Sequence, residues 1–307
     1  MYYQTRRGPV KAVDEVSFTI DERETFGVVG ETGCGKSTLG KAILGVLPPK
    51  TLVKGELRLR DVNLLDADDR RLRAIRGKDL ALIFQDPMTR LDPLMTIEEH
   101  FIETIQSHER VSGAEARSRA IRVLAGMGIP ESRLRTYPHE FSGGMRQRIM
   151  IALALVMHPK LVIADEPTTA LDVIVEAQIL DILRDLRKRF RMSLMLITHN
   201  LGIIAESSDR VAVMYAGKFV EVGPVADIFK RPIHPYTQGL LESVIHMEST
   251  KLSSIDGLPP DLLSPPSGCR FHPRCPYARE ICVKEEPPLV EYRLGQFAAC
   301  HFGRDFV

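Results

Sequence analysis

Residues 30–37 combine glycines, a lysine and a hydroxyl group at a spacing that suits phosphate binding. They read Gly-Glu-Thr-Gly-Cys-Gly-Lys-Ser and satisfy the pattern G-x-x-x-x-G-K-[ST]. Glycines let a backbone curl until successive N–H groups converge on phosphate oxygens, and a following helix N-terminus adds partial positive charge. In this pattern the lysine reaches the β- and γ-phosphates, and the hydroxyl reaches Mg²⁺. The predicted nucleotide-binding residues are Gly30, Gly33, Cys34, Gly35, Lys36, Ser37 and Thr38. The alternative interpretation is an ordinary glycine-rich turn before a helix.

Two adjacent carboxylates follow the apolar run at residues 161–164. A nucleotide site needs one acid to hold the Mg²⁺ shell and another to orient or deprotonate the attacking water. We expect Asp165 to take the first role and Glu166 the second. Many strands end in acids, so the pair alone is a modest signal. Beside the phosphate-binding pattern it indicates a site that holds Mg²⁺ and activates water.

Short apolar runs predict the strands that position these residues. Residues 12–29 read as two strands, the second ending directly before Gly30. Buried strands covered on both faces are predicted at 80–84, 161–164 and 194–198. The helical period dominates residues 97–158, with breaks at 128–130 and 137–138. The predicted fold is therefore α/β, with a mostly helical insertion.

Length and composition limit the class of protein. The 307 residues suggest roughly two structural units at about 150 residues per domain. Lys and Arg number 41 against 40 Asp and Glu, so no charge bias points to nucleic acid or an anionic membrane. The longest apolar run, 149–157, is too short for a membrane span, and the first residues carry no apolar signal-peptide stretch. A cytoplasmic protein is expected.

A further motif lies between the phosphate loop and the acidic pair. Residues 141–148 read Phe-Ser-Gly-Gly-Met-Arg-Gln-Arg and resemble the signature motif of ATP-binding-cassette (ABC) ATPases. Gln85 resembles the Q-loop of that family, residues 170–172 its D-loop, and His199 its switch histidine. Together with the phosphate loop and the acidic pair, these spaced motifs in the family's order are far more specific than any one of them.

The resemblance implies a P-loop ABC nucleotide-binding domain that hydrolyses ATP with Mg²⁺. It implies that Ser142, Gly143 and Gly144 bind the γ-phosphate of ATP held by an opposing subunit. It also implies that His199 contacts the γ-phosphate, and that Gln85 links Mg²⁺ and water to the membrane partner. The adenine-stacking aromatic residue is expected before residue 12, with Tyr3 favoured and Tyr2 as the alternative.

Within the family, the chain resembles the D-type ATPase of dipeptide and oligopeptide permeases. The markers are residues 84–89, 141–145, 164–172, 234–237 and 268–276. The resemblance implies import of short peptides, with oligosaccharides or nickel complexes as alternatives. The implied partners are a different ATPase subunit, two transmembrane permeases and an extracytoplasmic solute-binding protein, with no nucleic acid. The implied location is the cytoplasmic face of the cell membrane.

Three features depart from the family pattern. Met145 stands where Gln is commonest, and Asn200 follows the switch histidine where Asp is usual. The chain also starts later than the family pattern leads us to expect, without the usual first strand.

Two other classes of protein share some of these motifs. A soluble ABC ATPase acting on DNA or ribosomes usually has a coiled-coil insertion or two cassettes, which this sequence lacks. Glu166, His199 and the intact phosphate loop argue against a catalytically silent partner.

Four cysteines crowd the last part of the chain with the spacing C-x₅-C-x₆-C-x₁₇-C. In a reducing compartment such a cluster indicates metal more often than disulfides. The segment lacks the paired C-x₂-C of zinc ribbons, and four thiolates can hold a [4Fe–4S] cluster. The peptide-permease resemblance implies that cluster, with Zn²⁺ or no metal as alternatives. The expected ligands are Cys269, Cys275, Cys282 and Cys300, with His272 and His301 as neighbouring candidates.

These interpretations give a domain plan. The RecA-like ATP-binding core is predicted at 1–90 and 159–247, the helical subdomain with the signature motif at 91–158, and a linker with the cysteine-rich C-terminal extension at 248–307.

Overall fold

The computed structural model describes residues 1–84, 90–169, 172–243 and 255–307. The chain divides into two compact units. The first comprises Met1–Ile20, Glu24–Leu57 and Leu196–Val307, and the second comprises Asp21–Arg23 and Arg58–Met195. Among the described residues, no helix has both the length and the apolar character needed to cross a bilayer.

Twelve strands occur in the described part of the chain. They are β1 (Tyr3–Thr5), β2 (Gly8–Val10), β3 (Thr25–Val29), β4 (Arg58–Leu59), β5 (Val62–Asn63), β6 (Leu80–Ile83), β7 (Leu161–Asp165), β8 (Ser193–Ile197), β9 (Arg210–Tyr215), β10 (Lys218–Pro224), β11 (Val290–Arg293) and β12 (Gln296–Ala298).

The α-helices of the same residues number ten. They are α1 (Lys36–Ile43), α2 (Asp69–Ile75), α3 (Ile97–Gln106), α4 (Gly113–Ala125), α5 (Gly143–Leu155), α6 (Val173–Phe190), α7 (Leu201–Ser207), α8 (Val225–Lys230), α9 (Pro235–Glu242) and α10 (Glu280–Lys284).

In the first unit the strands lie in the order β11, β12, β10, β9, β3. β3 pairs with β9 in parallel, with Val28 opposite Ala212, and every residue of β3 is buried. The remaining pairs are antiparallel, and β12 joins β10 through the register of Val222 with Phe297. The C-terminal residues thus extend the sheet that carries the phosphate loop, and this sheet mixes both kinds of pairing.

In the second unit β7 lies between β6 and β8, and β6 pairs with β7 in parallel. The helical character predicted for residues 97–158 is confirmed by α3, α4 and α5. The backbone is irregular at 128–130, and at the second predicted break Pro138 begins a short 3-10 helix, Pro138–Glu140. Local capping fixes these helix starts. Thr96 and Glu99 form a reciprocal capping box at α3, and Ser112 caps α4.

The strand predicted within residues 12–20 is wrong, whereas the strand predicted directly before Gly30 is confirmed as β3. Backbone N–H groups in the first segment pair with separate loops: that of Val13 with the Met1 carbonyl at 3.2 Å, and that of Asp14 with the Gly217 carbonyl at 2.8 Å. Glu15 has φ of 49°, which interrupts an extended backbone. The N-terminus instead forms the hairpin β1–β2.

Candidate functional site

The phosphate loop connects the buried strand β3 to helix α1 in the first unit. Gly30 and Gly35 both have positive φ, of 157° and 112°. A Cβ at position 30 would collide with the Met214 carbonyl, and one at position 35 with the Ala12 carbonyl. Two of the pattern's glycines are therefore required by close backbone approach as well as by conformation.

Lys36 is the first residue of α1 and is only 5% exposed. Its ammonium donates to the carbonyl of Gly30 at 2.8 Å and to that of Glu31 at 3.0 Å. Cys34 is buried beside it, and burial raises the pKa of that thiol. The loop thus places one buried cation among its own backbone groups, which is the arrangement that phosphate binding requires.

The two candidate adenine-stacking tyrosines have different neighbours. Tyr3 donates from its hydroxyl to Thr38 Oγ1 at 3.0 Å, directly after the phosphate loop. Tyr2 donates to the carboxylate of Asp14, and this hydrogen bond raises the pKa of Tyr2 to about 12. Tyr3 is therefore the tyrosine in contact with α1, and Tyr2 is occupied by Asp14.

His199 follows strand β8 and is exposed. The preceding residue, Thr198, donates its backbone N–H to the carbonyl of Val28 in β3 at 3.2 Å. This contact places the histidine at the end of the sheet from which the phosphate loop leaves. Asn200 caps α7 by accepting from the N–H of Gly202 at 2.9 Å, so an amide oxygen fills this capping position.

In the second unit, Asp165 is the last residue of β7 and is 5% exposed. Glu166 follows with φ of 46°, and its carboxylate accepts from Thr169 Oγ1 at 2.7 Å. A left-handed backbone at a non-glycine residue is costly and persists where surrounding structure fixes it. The end of β7 therefore carries the buried carboxylate of Asp165, and the left-handed backbone at Glu166 fixes the position of the second carboxylate.

The signature segment opens helix α5 in this same unit. Ser142 is the N-cap and accepts from the N–H of Met145 at 3.4 Å, a bond that does not involve the methionine side chain. Gly143 has open space where a Cβ would lie, whereas a Cβ on Gly144 would lie 2.8 Å from Val175 Cγ1. Gly144 is thus the glycine of the pair that packing requires.

Two hydrogen bonds that the sequence did not predict connect these motifs to other segments of the chain. Gln147, 2% exposed, donates to the Pro167 carbonyl at 2.7 Å and so ties α5 to the segment after Glu166. Tyr236, fully buried, accepts at its hydroxyl from the N–H of Glu31 in the phosphate loop at 3.0 Å. Tyr236 belongs to one of the permease markers, which is the signal that could have found it.

Three predicted features fall outside the described residues. They are residues 85–89, which include Gln85 and most of the permease marker at 84–89, the first two D-loop residues 170–171, and residues 244–254, where the predicted core ends and the linker begins.

The four C-terminal cysteines line one cavity, together with aromatic and histidine side chains. They form no disulfide in the described structure. Burial raises the pKa of Cys269 to about 12 and that of Cys300 to about 11, opposed by hydrogen bonds from the backbone of Phe271 and Phe302. Among the described residues, no group of three or more His, Cys, Asp or Glu side chains is arranged to hold a metal ion. The predicted cluster therefore has a cysteine-lined cavity but no support from metal-site geometry.

The histidines of this cavity already have ring partners. His272 Nδ1 lies 2.9 Å from the Cys269 carbonyl, and His301 Nε2 lies 2.9 Å from that of Glu285. His234 accepts at Nδ1 from the N–H of Tyr236 at 3.0 Å, and burial lowers its pKa to about 3. Cysteine sulfur is accordingly the principal donor type that the cavity offers.

A phosphate loop between a buried strand and a helix, in an α/β fold with a large mixed sheet, defines a P-loop nucleotide hydrolase. Comparison with protein families narrows the class. The ABC transporter family matches residues 13–169, and the oligopeptide/dipeptide transporter C-terminal region matches residues 220–282. The chain belongs to the ABC transporter family as an ATP-binding subunit, and such subunits hydrolyse ATP to power transport.

Individual relatives agree with this membership. The dipeptide transport ATP-binding protein DppD of Bacillus subtilis is 47% identical over 93% of this chain and 87% of its own length. The oligopeptide transport ATP-binding protein OppD of Salmonella typhimurium is 45% identical over 97% of this chain and 90% of its own. Among solved structures, the dimeric bacterial ABC transporter cassette MJ0796 is similar with a TM-score of 0.66 and 28% identity. That match covers 73% of this chain and 95% of the cassette.

Proposed function

We propose that this chain is the ATP-hydrolysing subunit of an importer that takes up dipeptides and oligopeptides. The observation that carries the proposal is the combination of two matched regions, a cassette at 13–169 and a peptide-transporter C-terminal region at 220–282. Relatives named for dipeptide and oligopeptide transport are similar over more than nine-tenths of the chain. Oligosaccharide or nickel-complex import by the same machinery is the alternative.

The chemistry is assigned to the residues of the two units. Lys36 binds the β- and γ-phosphates, and Tyr3 stacks on adenine. Ser37, Asp165 and Gln85 would each offer an oxygen ligand to Mg²⁺, and oxygen is the donor type that suits this ion. Glu166 activates the attacking water and His199 contacts the γ-phosphate. Ser142, Gly143 and Gly144 bind the γ-phosphate held by the opposing subunit through N–H groups at the start of α5.

The proposed domains are the RecA-like core at 1–90 and 159–247, the helical subdomain at 91–158, and the C-terminal extension from 248. The proposed assembly pairs this subunit with a second, different ABC ATPase. It also contains two transmembrane permeases and an extracytoplasmic solute-binding protein, so the chain works at the cytoplasmic face of the membrane. ATP binding then stabilises the closed pair of cassettes, and product release reopens it.

Purification of a tagged copy from native membranes in mild detergent tests the assembly. We expect two hydrophobic permeases and a second cassette to accompany the chain, because the two ATP sites require two cassettes. Mass spectrometry of the purified material identifies them. Recovery with ribosomes or DNA, or recovery alone under conditions that preserve such complexes, would contradict the transport assignment. ATP hydrolysis by the chain is measured separately and stands apart from that outcome.

We also propose that Cys269, Cys275, Cys282 and Cys300 hold a [4Fe–4S] cluster. The support is the chemistry of the donors alone: four thiols line one cavity, although the described residues have no metal-site geometry there. Burial favours the neutral thiols, whereas a cluster binds thiolates. A bound cluster would therefore lower the pKa of these cysteines again. The cluster would supply covalent cross-links within the extension, which is too small and proline-rich to bury a core of its own. Zn²⁺ remains the alternative occupant.

Iron and acid-labile sulfide analysis of anaerobically purified protein tests this assignment. We expect about four irons and four sulfides per chain, the stoichiometry of a cubane bound by four cysteines. Cys275→Ser should lower both strongly. Cys34→Ser, which changes the fifth cysteine in the phosphate loop, should leave both unchanged. Protein with neither iron nor sulfide would refute the cluster, and one zinc per chain would establish the alternative.

A further inference from the structure

The phosphate loop is bound by an arginine from the far end of the chain. Arg274 Nη1 lies 2.8 Å from Glu31 Oε2, and Arg274 Nη2 lies 3.1 Å from Glu31 Oε1. The pair is bidentate, with each carboxylate oxygen facing one guanidinium nitrogen. The Arg274 side chain is 6% exposed and that of Glu31 is 24% exposed. A paired, largely buried interaction of this geometry is among the stronger charged contacts in proteins.

Other partners hold the guanidinium in place. Nε donates to the Asp256 carbonyl at 2.8 Å, and Nη2 donates to the Ile255 carbonyl at 3.2 Å. Nη1 also donates to the Tyr215 hydroxyl at 3.3 Å. Three contacts thus orient the guanidinium independently of Glu31, in addition to the two hydrogen bonds to its carboxylate.

A second arginine of the extension braces the backbone behind the same loop. Arg270 is buried and donates to the carboxylate of Asp14 and to the carbonyl of Ala216. The next residue, Gly217, donates its N–H to the carbonyl of Cys34 in the phosphate loop at 2.8 Å. The extension thus reaches the loop by two routes, one through a side-chain carboxylate and one through backbone.

We propose that Arg274 is a positioning residue for ATP binding, which fixes and neutralises the Glu31 carboxylate within the phosphate loop. The inference rests on the ATP-binding role of the loop and goes beyond it by giving the C-terminal extension a part in nucleotide affinity. Glu31 is the second residue of a loop whose ligand is a polyanion. An unpaired carboxylate there repels that ligand, because like charges at short distance in a partly buried site are weakly screened. When it is paired with the Arg274 guanidinium, the Glu31 carboxylate instead anchors the phosphate loop.

The test is a set of ATP-binding titrations on the full-length chain. We expect Arg274→Gln to raise the Kd for ATP about 10-fold, the scale of one charged hydrogen-bonded contact. Adding Glu31→Gln to that variant removes the carboxylate charge that has lost its arginine, so the double variant should recover to within about 3-fold of wild type. Arg274→Lys keeps the charge but loses the fork, and we expect an increase of about 3-fold. Arg231→Gln, which breaks an exposed ion pair in the same unit, should leave the Kd unchanged.

Rescue of Arg274→Gln by Glu31→Gln distinguishes a positioning role of Arg274 from a role in the stability of the fold alone. An arginine that only held residues 255–256 in place would give a double variant as weak as Arg274→Gln, and that result would overturn the proposal. Equal affinities of wild type, Arg274→Gln and Arg274→Lys would overturn it as well. If Arg274→Gln does not fold, judged by circular dichroism, Arg274→Lys with and without Glu31→Gln carries the same comparison. A wild-type chain without ATP affinity would refute the function of the loop itself, a distinct result.

Discussion

Replacing Glu166 by glutamine is expected to abolish ATP hydrolysis while ATP binding is kept. The amide has the size of the carboxylate and can still accept from Thr169 Oγ1, so the constrained turn is retained. It cannot take a proton from the attacking water, and loss of a general base lowers turnover at least about 100-fold. The measurement is steady-state hydrolysis by the purified complex, together with ATP-dependent association of the cassettes.

A matched control distinguishes loss of the catalytic base from loss of any one carboxylate. Asp181→Asn removes a carboxylate that forms an exposed ion pair with Arg184 on α6. We expect its turnover to equal that of wild type, because exposed ion pairs contribute little. Retention of full turnover by Glu166→Gln would remove Glu166 from the role of base.

Replacing Lys36 by methionine is expected to weaken ATP binding and to suppress hydrolysis. Methionine approximates the lysine stem but lacks the ammonium that now lies among the Gly30 and Glu31 carbonyls. Loss of a charged contact to phosphate raises the Kd for ATP at least about 10-fold. Because the same charge acts on the transferring phosphoryl group, turnover falls further, by at least about 100-fold. Equilibrium titration and hydrolysis rates on one preparation give both numbers.

Lys41 offers a control on the same helix. It lies in the last turn of α1 and is half-buried. Lys41→Met changes the same residue type without touching the loop, so its affinity and turnover should match wild type. An unchanged Kd in Lys36→Met would show that the loop does not bind phosphate through this lysine.

Local sequence was sufficient for the parts of the site whose structure is itself local. The glycine positions of the phosphate loop follow from close backbone approach at Gly30 and Gly35, which any longer side chain would obstruct. The acidic pair follows from the end of a buried strand: β7 ends at Asp165, one residue beyond the predicted run 161–164. The start of α5 at Gly143 follows from the N-cap at Ser142.

Contacts between distant segments could not be predicted in this way. Arg274 and Glu31 are 243 positions apart, and nothing in the pattern around either residue identifies the other. The strand predicted within 12–20 was wrong for a related reason. Its first apolar residues, Ala12 and Val13, are buried, and Val16, Phe18 and Ile20 are half-buried. Its backbone N–H groups at Val13 and Asp14 nevertheless bond to Met1 and Gly217 rather than to a neighbouring strand. The pattern of apolar residues indicates which side chains are buried. Whether a segment pairs as a strand depends on which other segment of the chain lies beside it.

The most direct test of the central claim is solute uptake by vesicles that contain the complex purified through this chain. The vesicles are loaded with ATP, and the solute-binding protein with labelled dipeptides and oligopeptides is added outside. We predict ATP-dependent accumulation of peptides with wild type, none with Glu166→Gln, and none for labelled oligosaccharides or nickel complexes. Peptide accumulation that is equal in wild type and Glu166→Gln, or accumulation of another solute in place of peptides, would contradict the account.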